Sequence, residues 1–375
     1  MGAVRESLRH KRIAVCVGSG GVGKTTVAAA LGLQRALDGG RALVCTIDPA
    51  RRLAAALGLD SLSNMESRVP DHKLAAAGLA PRGQLHAMML DVKRTWDDLV
   101  ARHAPDRQRQ DRIFRNRIYQ QLSSALAGSQ EYMAMEKLYE LSTERDYDLV
   151  VLDTPPTAHA LDFLEAPDRI LDFLGSETAR LLLTPALGAG KVGLRLFQLG
   201  GSYIARTLSR FTGSDVLRDV AEFMAGFQGM YEGFKTRAAA VRALLAEPQV
   251  GFVIVSSPSP LSVDEALFFH EHLHAESMPV AGVVANLVTP DLWPGDADPP
   301  GPEALARALG GRGEADGALA GRLALTLAEH QVLARADARE VERLFGGVPA
   351  PREVVPRLQR DVHDLAGLAE LAARL

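Results

Sequence analysis

Ile13-Ala14-Val15-Cys16-Val17-Gly18-Ser19-Gly20-Gly21-Val22-Gly23-Lys24-Thr25-Thr26 begins as an apolar run, crosses four glycines and ends on Lys-Thr-Thr. The run predicts a buried strand, and the Ala- and Leu-rich segment Lys24–Leu37 predicts a helix directly after the loop. Gly18, Gly23, Lys24 and Thr25 fall at the spacing of a phosphate-binding loop, in the strand-loop-helix context that this pattern requires. Each residue type has a chemical reason. Glycines let backbone N–H groups turn inward around an anion, and the helix N-terminus adds positive potential. A lysine meets the outer phosphate oxygens, and the Thr25 hydroxyl suits Mg2+. Gly20, Gly21, Val22, Gly23, Lys24, Thr25 and Thr26 are therefore the candidate nucleotide-binding residues. A generic glycine-rich turn would have no cause to carry the lysine, the hydroxyl and both flanking elements at once.

Outward from this stretch, further strand-length apolar runs occur at 42–47, 149–152, 251–255 and 280–285, with another candidate at 85–90. Strands alternating with helix-length segments predict an α/β fold, a doubly wound and mostly parallel sheet. Residues 93–146 and 165–247 carry no strand signal and are rich in Ala, Leu, Arg and Glu; they are read as a helical subdomain inserted into a single domain spanning 1–375. The Pro- and Gly-rich stretch 290–317 is read as a mobile surface loop. Beyond it, 318–345 is helical in composition, Pro349, Pro351 and Pro356 frame an extended segment, and a final helix is expected from about Asp361. Gly188-Ala189-Gly190-Lys191 lacks the other elements of a phosphate loop, so one such loop is expected.

The 375 residues, 47% hydrophobic and 23% charged, have the balance of a globular protein. The 42 basic and 46 acidic residues leave a formal charge of -4, which gives no global reason to expect nucleic-acid binding. Cys16 and Cys45 fall in different predicted strands, which excludes a disulfide scaffold and a cysteine-based zinc site. The first apolar run is too short for a secretory signal, Glu6 breaks a myristoylation pattern, and no stretch of about 18 uncharged apolar residues occurs. A reducing cytoplasm is expected, with peripheral membrane contact open.

Asp48 and Asp153 each end a predicted strand, at the edge where open α/β sheets bind ligands. A carboxylate there can polarise water or hold hydrated Mg2+; each, taken alone, could equally be a helix cap or turn residue.

At these residues a family resemblance enters. Gly20 to Thr26, Asp48-Pro49-Ala50 and Asp153-Thr154-Pro155-Pro156-Thr157-Ala158-His159 resemble the phosphate loop and two switches of the arsenite-transporting and tail-anchored-protein-targeting ATPases. Pro258-Ser259-Pro260-Leu261-Ser262 and Asn286 resemble that family's nucleotide-side loop and adenine-contacting asparagine. The similarity runs from residue 12 to about 370 and is weakest in 290–345. It implies a dimeric Mg-ATPase in which Lys24 binds phosphate, Asp48 activates water, Asp153 opens the second switch and reaches Mg2+ through water, Thr25 ligates Mg2+, and Asn286 reads adenine. ATP binding and hydrolysis would then reposition the helical subdomain.

The sequence departs from the family at Ser19, where a second phosphate-loop lysine reaches the opposite subunit's nucleotide, at Ser259 in place of a glutamate, and at Ala158 in place of a glycine. Losing the Ser19 lysine removes a charge-assisted contact worth about 1.5–3 kcal/mol. Slow turnover by a homodimer closed through other contacts, or pairing with a related subunit, is expected. The family's metalloid-binding and zinc-linking cysteines are absent, so arsenite pumping and zinc are not expected.

His270-Glu271-His272-Leu273-His274 formally matches a zinc-protease pattern. Its segment, with Ser262 and Glu265 read as a capping box, lies between core strands and is read as an exposed, metal-free helix face. Between Thr178 and Ser214 there is no acidic residue, and Arg180, Lys191, Arg195, Arg206 and Arg210 are basic. That face suits a hydrophobic peptide, a membrane surface or an acidic partner, or else packs as ordinary helix with solvated arginines. Val216, Val220, Phe223, Phe227, Met230 and Phe234 form an apolar stripe of core type, interrupted by Gly226, Gly229 and Gly233. The run from Arg102 to Arg117 is read as a solvated helix face. Two alternatives to a turning-over ATPase stay open: an ATP-gated binding module and a partition-type ATPase. Leu365, Leu368, Leu371 and Leu375 with few basic neighbours give the last little support.

Overall fold

The computed structural model describes residues 2–47, 52–104, 106–117, 119–120, 123, 129–154, 231–293, 298–310 and 314–375. Helix α1 (Ala3–Leu8) precedes strand β1 (Ile13–Val17), whose five residues are all buried, and α2 (Lys24–Leu37) follows the glycine loop. Strands β2 (Arg41–Thr46), β3 (Ser67–Arg68), β4 (Gln84–Met89), β5 (Leu149–Asp153), β6 (Val250–Ser256), β7 (Val280–Val288) and β8 (Arg352–Pro356) complete one sheet in the order β3-β4-β2-β5-β1-β6-β7-β8. Every neighbouring pair is parallel except β3 with β4.

The predicted strands therefore stand where their apolar runs lie. Two were not read as strands: β3 has only two residues, too few for a periodicity, and β8 was read only as an extended segment. The final helix α12 (Leu365–Ala372) starts later than Asp361, because the Asp364 side chain caps it by accepting from Gly367 N.

Side chains along β1 alternate between two cores, as the strand period of two demands. Ile13, Val15 and Val17 face one, with residues of α5 (Val92–His103), α7 (Ser129–Glu144), α8 (Tyr231–Leu245), α9 (Pro260–Ala275) and α11 (Glu314–Gly347). Ala14 and Cys16 face the other, with α1, α2, α3 (Arg52–Ala56) and α12. Helices cover both faces, which is why the strands are apolar throughout rather than alternating. Each fully buried Val, Leu or Ile contributes about 1.5–3 kcal/mol relative to exposure. Leu365, Leu368, Leu371 and Leu375 belong to the second core, which spends them on packing.

The described parts of 93–146 and 165–247 are helical, and α7 and α8 place Tyr132, Leu138 and Val241 in the same core as Val150 and Leu152 of β5. Short helix α4 (Asp71–Ala76) sends Leu74 into the second core, and α6 (Arg107–Arg115) buries only Ile113, in the first; the arginines of α6 are exposed. Within 290–317, read as loop, lies helix α10 (Pro302–Ala308), and α11 already begins at Glu314. Pro302 is the reason: proline at the first helical position starts a helix as readily as an interior one breaks it. Among the described residues no helix is long and apolar enough to cross a membrane.

Candidate functional site

The sheet's topology assembles the site. β5, β1 and β6 are adjacent, so their carboxyl ends lie side by side, with Cys16 paired to Asp153 and Val17 to Ile254. From β1 the chain must turn at once, and Gly18 makes this possible: a Cβ there would stand 2.0 Å from the Val255 carbonyl oxygen of β6. At the other end of the loop Gly23 caps α2 at φ 89, the left-handed region. Gly20 and Gly21 are exposed, while Val22 is buried under the loop. Thr26 is half-buried in the first turn of α2.

Lys24 is buried, and its Nζ donates to the carbonyl oxygens of Gly18 and Ser19, at 2.8 Å each. The lysine thus lies along its own loop, over the ground that phosphate oxygens take in such loops. Beside it the Thr25 hydroxyl donates to Asp153 Oδ2 at 2.7 Å, and Thr46, paired with Asp153 in the β2–β5 ladder, donates to the same oxygen at 2.7 Å. Asp153 is fully buried. Thr154 ties the end of β5 to β1 by donating its hydroxyl to Cys16 O at 2.8 Å. The Ser19 Oγ is buried and has no hydrogen-bond partner among the described residues.

Ser259 is the N-cap of α9; its Oγ accepts from Ser262 N at 3.3 Å, and Pro260 follows at the first helical position. This corrects the Ser262–Glu265 capping box: the helix starts three residues earlier, with Ser262 inside its first turn. Asn286 is buried, and its Nδ2 donates to Val22 O at 2.8 Å.

Lys24, Thr25, Asp153 and Asn286 are thus brought together around the loop. Asp48 lies outside the described residues, as do Pro49, Ala50 and residues 155–159 of the second switch. The basic run 178–214, Gly226, Gly229 and most of the apolar stripe lie outside them as well. Thr46, Thr154 and the capping role of Ser259 were not read from the sequence. Thr46 gave one usable signal, a hydroxyl ending an otherwise apolar strand two residues before Asp48.

The residues present fit Mg-nucleotide. Mg2+ in such sites is held by one or two protein oxygens, phosphate and water rather than a protein cage, and Thr25 with Asp153 supplies that pair. Among the described residues no group of three or more His, Cys, Asp or Glu is placed to hold a metal. The rings of His270 and His274 lie with centroids 6.4 Å apart and planes tilted by 44°, and His272 Nδ1 is 2.8 Å from Phe268 O. Burial, with His274 assisting, holds the His270 imidazole below its ordinary pKa. Both cysteines are free and buried; burial pushes the Cys45 thiol up to about 12 and raises that of Cys16 as well.

A mostly parallel sheet with helices on both faces, a phosphate loop after β1 and an aspartate ending the adjacent strand define a P-loop nucleotide-binding protein. The chain belongs to the anion-transporting ATPase family, whose model matches residues 11–294. It is 29% identical over 231 residues to "ATPase get3" of Aspergillus terreus and 27% identical over 230 residues to "ATPase GET3" of Kluyveromyces lactis. Each alignment covers 57% of this chain and 64% of the relative, so the chain spans less than two thirds of the length of these relatives. An uncharacterized Streptomyces coelicolor protein is 27% identical over 305 residues, covering 79% of this chain and 67% of that one. The family match ends inside the region where the sequence resemblance is weakest, yet β8 and α12 beyond it pack into the same sheet and core.

Proposed function

We propose that this chain is a Mg-dependent ATPase that uses nucleotide binding and hydrolysis to reposition its helical layer, serving a hydrophobic or membrane-protein cargo or a membrane partner. The observation that carries the reading is the Lys24–Thr25–Asp153 constellation at the carboxyl edge of β1 and β5. On binding, Lys24 leaves the Gly18 and Ser19 carbonyls for phosphate oxygens, and the inward N–H groups of the loop and of the first turn of α2 take the remaining charge. Bound Mg2+ would neutralise charge on the outer phosphates; Thr25 would ligate it, and Asp153 would orient its water shell. Asp48, from the end of β2, is proposed to polarise the attacking water, and Asn286 to meet the adenine end. The names of the relatives support ATP chemistry; the cargo class rests on the sequence resemblance and on the apolar, basic stretch 178–214.

A second reading, an ATP-gated binding module with little turnover, is favoured by Ser19. A serine at that position cannot reach a nucleotide in another subunit as a lysine does. The proposed assembly is a homodimer or a pairing with a related subunit. Phosphate release and nucleotide affinity, measured on wild type, Lys24→Ala and Asp48→Asn, separate the readings. Turnover that both substitutions eliminate supports the ATPase; tight ATP binding with negligible phosphate release supports the module. Wild type that binds no nucleotide excludes both.

A further inference from the structure

The carboxyl end of β7 is not plain strand. Its pairing with β8 is regular through Ala285 with Val354 and shifts before Val288 with Pro356. Between these points Leu287 adopts φ 63, the left-handed region. A side chain with a Cβ is strained there, and such strain persists where the surroundings fix it, often beside functional groups. The residue before it is Asn286, only 3% exposed, whose Nδ2 is 2.8 Å from Val22 O. Because the partner is a carbonyl, the end of the amide facing the loop must be the nitrogen. The same nitrogen would stand 2.3 Å from a Cβ on Gly23, so the amide rests against both Val22 and Gly23.

This contact has a consequence for the loop's donors. In a trans peptide the carbonyl and the following N–H point to opposite sides. Holding the Val22 carbonyl toward Asn286 therefore directs the Gly23 N–H away from β7 and toward the hollow of the loop. With four glycines in residues 18–23, the loop backbone is freer to change conformation than an ordinary turn, which gives a contact on this peptide something to fix. We propose that Asn286 is a positioning residue for the phosphate loop, acting on the Val22–Gly23 peptide, and that the left-handed bend at Leu287 is what brings its amide there. The proposal rests on the nucleotide-binding reading for the identity of the ligand. It goes beyond a base contact, because it makes phosphate binding itself depend on Asn286 whatever the base.

The test compares wild type with Asn286→Ala, Leu287→Val and Leu287→Gly. Hydrogen exchange is followed in the nucleotide-free protein, and Mg2+-dependent binding is measured for ATP, GTP and inorganic tripolyphosphate. Asn286→Ala is expected to speed exchange in 18–26 while β5 and the interior of α2 keep wild-type protection. Affinity for all three polyphosphates should fall together, by about tenfold, the size of one buried hydrogen bond lost. Leu287→Val, whose β-branch disfavours positive φ, should reproduce the exposed loop, and Leu287→Gly should not. Unchanged exchange in Asn286→Ala overturns the proposal. So does an affinity loss confined to ATP, which would reduce Asn286 to a base contact. If wild type binds none of the three, the nucleotide reading fails, while the exchange measurement still decides the positioning role. If Asn286→Ala does not fold, the Leu287 pair decides it.

Discussion

Thr25 Oγ1 stands 2.7 Å from Asp153 Oδ2, joining residues 128 positions apart in sequence. The bond joins the first turn of α2 to the last residue of β5, beside the phosphate loop. Thr46 completes it from β2, so one carboxylate oxygen gathers hydroxyls from two separate elements. A site preorganised in this way loses little on binding, because its groups are ordered before the ligand arrives.

Thr46→Val keeps the shape of the side chain and removes one donor to a carboxylate. Hydrogen bonds to charged groups contribute about 1.5–3 kcal/mol, and urea unfolding should show a loss of that size. A change within about 0.5 kcal/mol, the range of ordinary surface substitutions, would mean the hydroxyl does not support Asp153.

Lys24→Ala should abolish nucleotide stabilisation. A ligand at a hundred times its Kd stabilises the native state by about 2.7 kcal/mol, which thermal unfolding resolves. Wild type should show this rise with Mg-ATP, and the variant none. Since Lys24 satisfies the Gly18 and Ser19 carbonyls, the variant should also expose these to solvent, with faster exchange in the loop.

Ser19→Lys tests whether this position limits turnover. A lysine there is expected to raise ATP hydrolysis, and to make the specific rate depend on protein concentration, because in the proposed dimer the phosphate it would reach lies in the other subunit. Equal rates in wild type and variant across a wide concentration range would count against that idea.

Glu136, on α7, is buried with only 3% of its side chain exposed, and its Oε1 accepts from Arg237 Nε of α8 at 2.7 Å, with Arg102 of α5 at 4.0 Å. Burial raises its carboxyl above the ordinary 4.5, outweighing the pull of Arg237 and Arg102 in the other direction. Such a group holds its proton more tightly folded than unfolded, so its contribution to stability falls as pH climbs from the unfolded value through the folded one. Glu136→Gln should flatten the stability profile across that window. Arg237→Ala should cost about 3–5 kcal/mol near neutral pH, where it strands a buried charge, and clearly less near pH 4, where the carboxyl is protonated. Equal costs at both pH values would show that Glu136 is not the group responsible.

The legible part of this fold was the part with periodicity. β1, β2, β5, β6 and β7 are buried on both faces and read as unbroken apolar runs, and the phosphate loop carries its chemistry in residue types at fixed spacing. What the sequence hid depends on register. Nothing local marks Thr46 as the neighbour of Asp153; only the β2–β5 ladder sets them side by side. Nothing local marks Asn286 as the partner of Val22, 264 residues away. Pro302 misled because proline both begins and breaks helices, and the arrangement at Ser259 because two serines three apart can each cap a helix.

The cysteines give the sharpest test against metalloid chemistry. A soft ion needs thiolates that are deprotonated and accessible. Cys16 and Cys45 are neither: both are buried in β1 and β2, and burial pushes the Cys45 thiol up to about 12 and raises the Cys16 thiol too. A thiol raised that far is protonated at every pH at which the fold would be assayed, and its path to solvent is closed by the core packed over its face of the sheet. A thiol reagent at pH 8 should therefore leave both residues unmodified in the native protein and label both in denaturant. Labelling should follow the global unfolding transition, since the strands that hold the two residues are central in the sheet. Arsenite, on the same reasoning, should leave ATP turnover unchanged. Rapid native labelling of either cysteine, or turnover stimulated by arsenite, would show an opening of the sheet beside the phosphate loop that the packing of β1 and β2 does not provide.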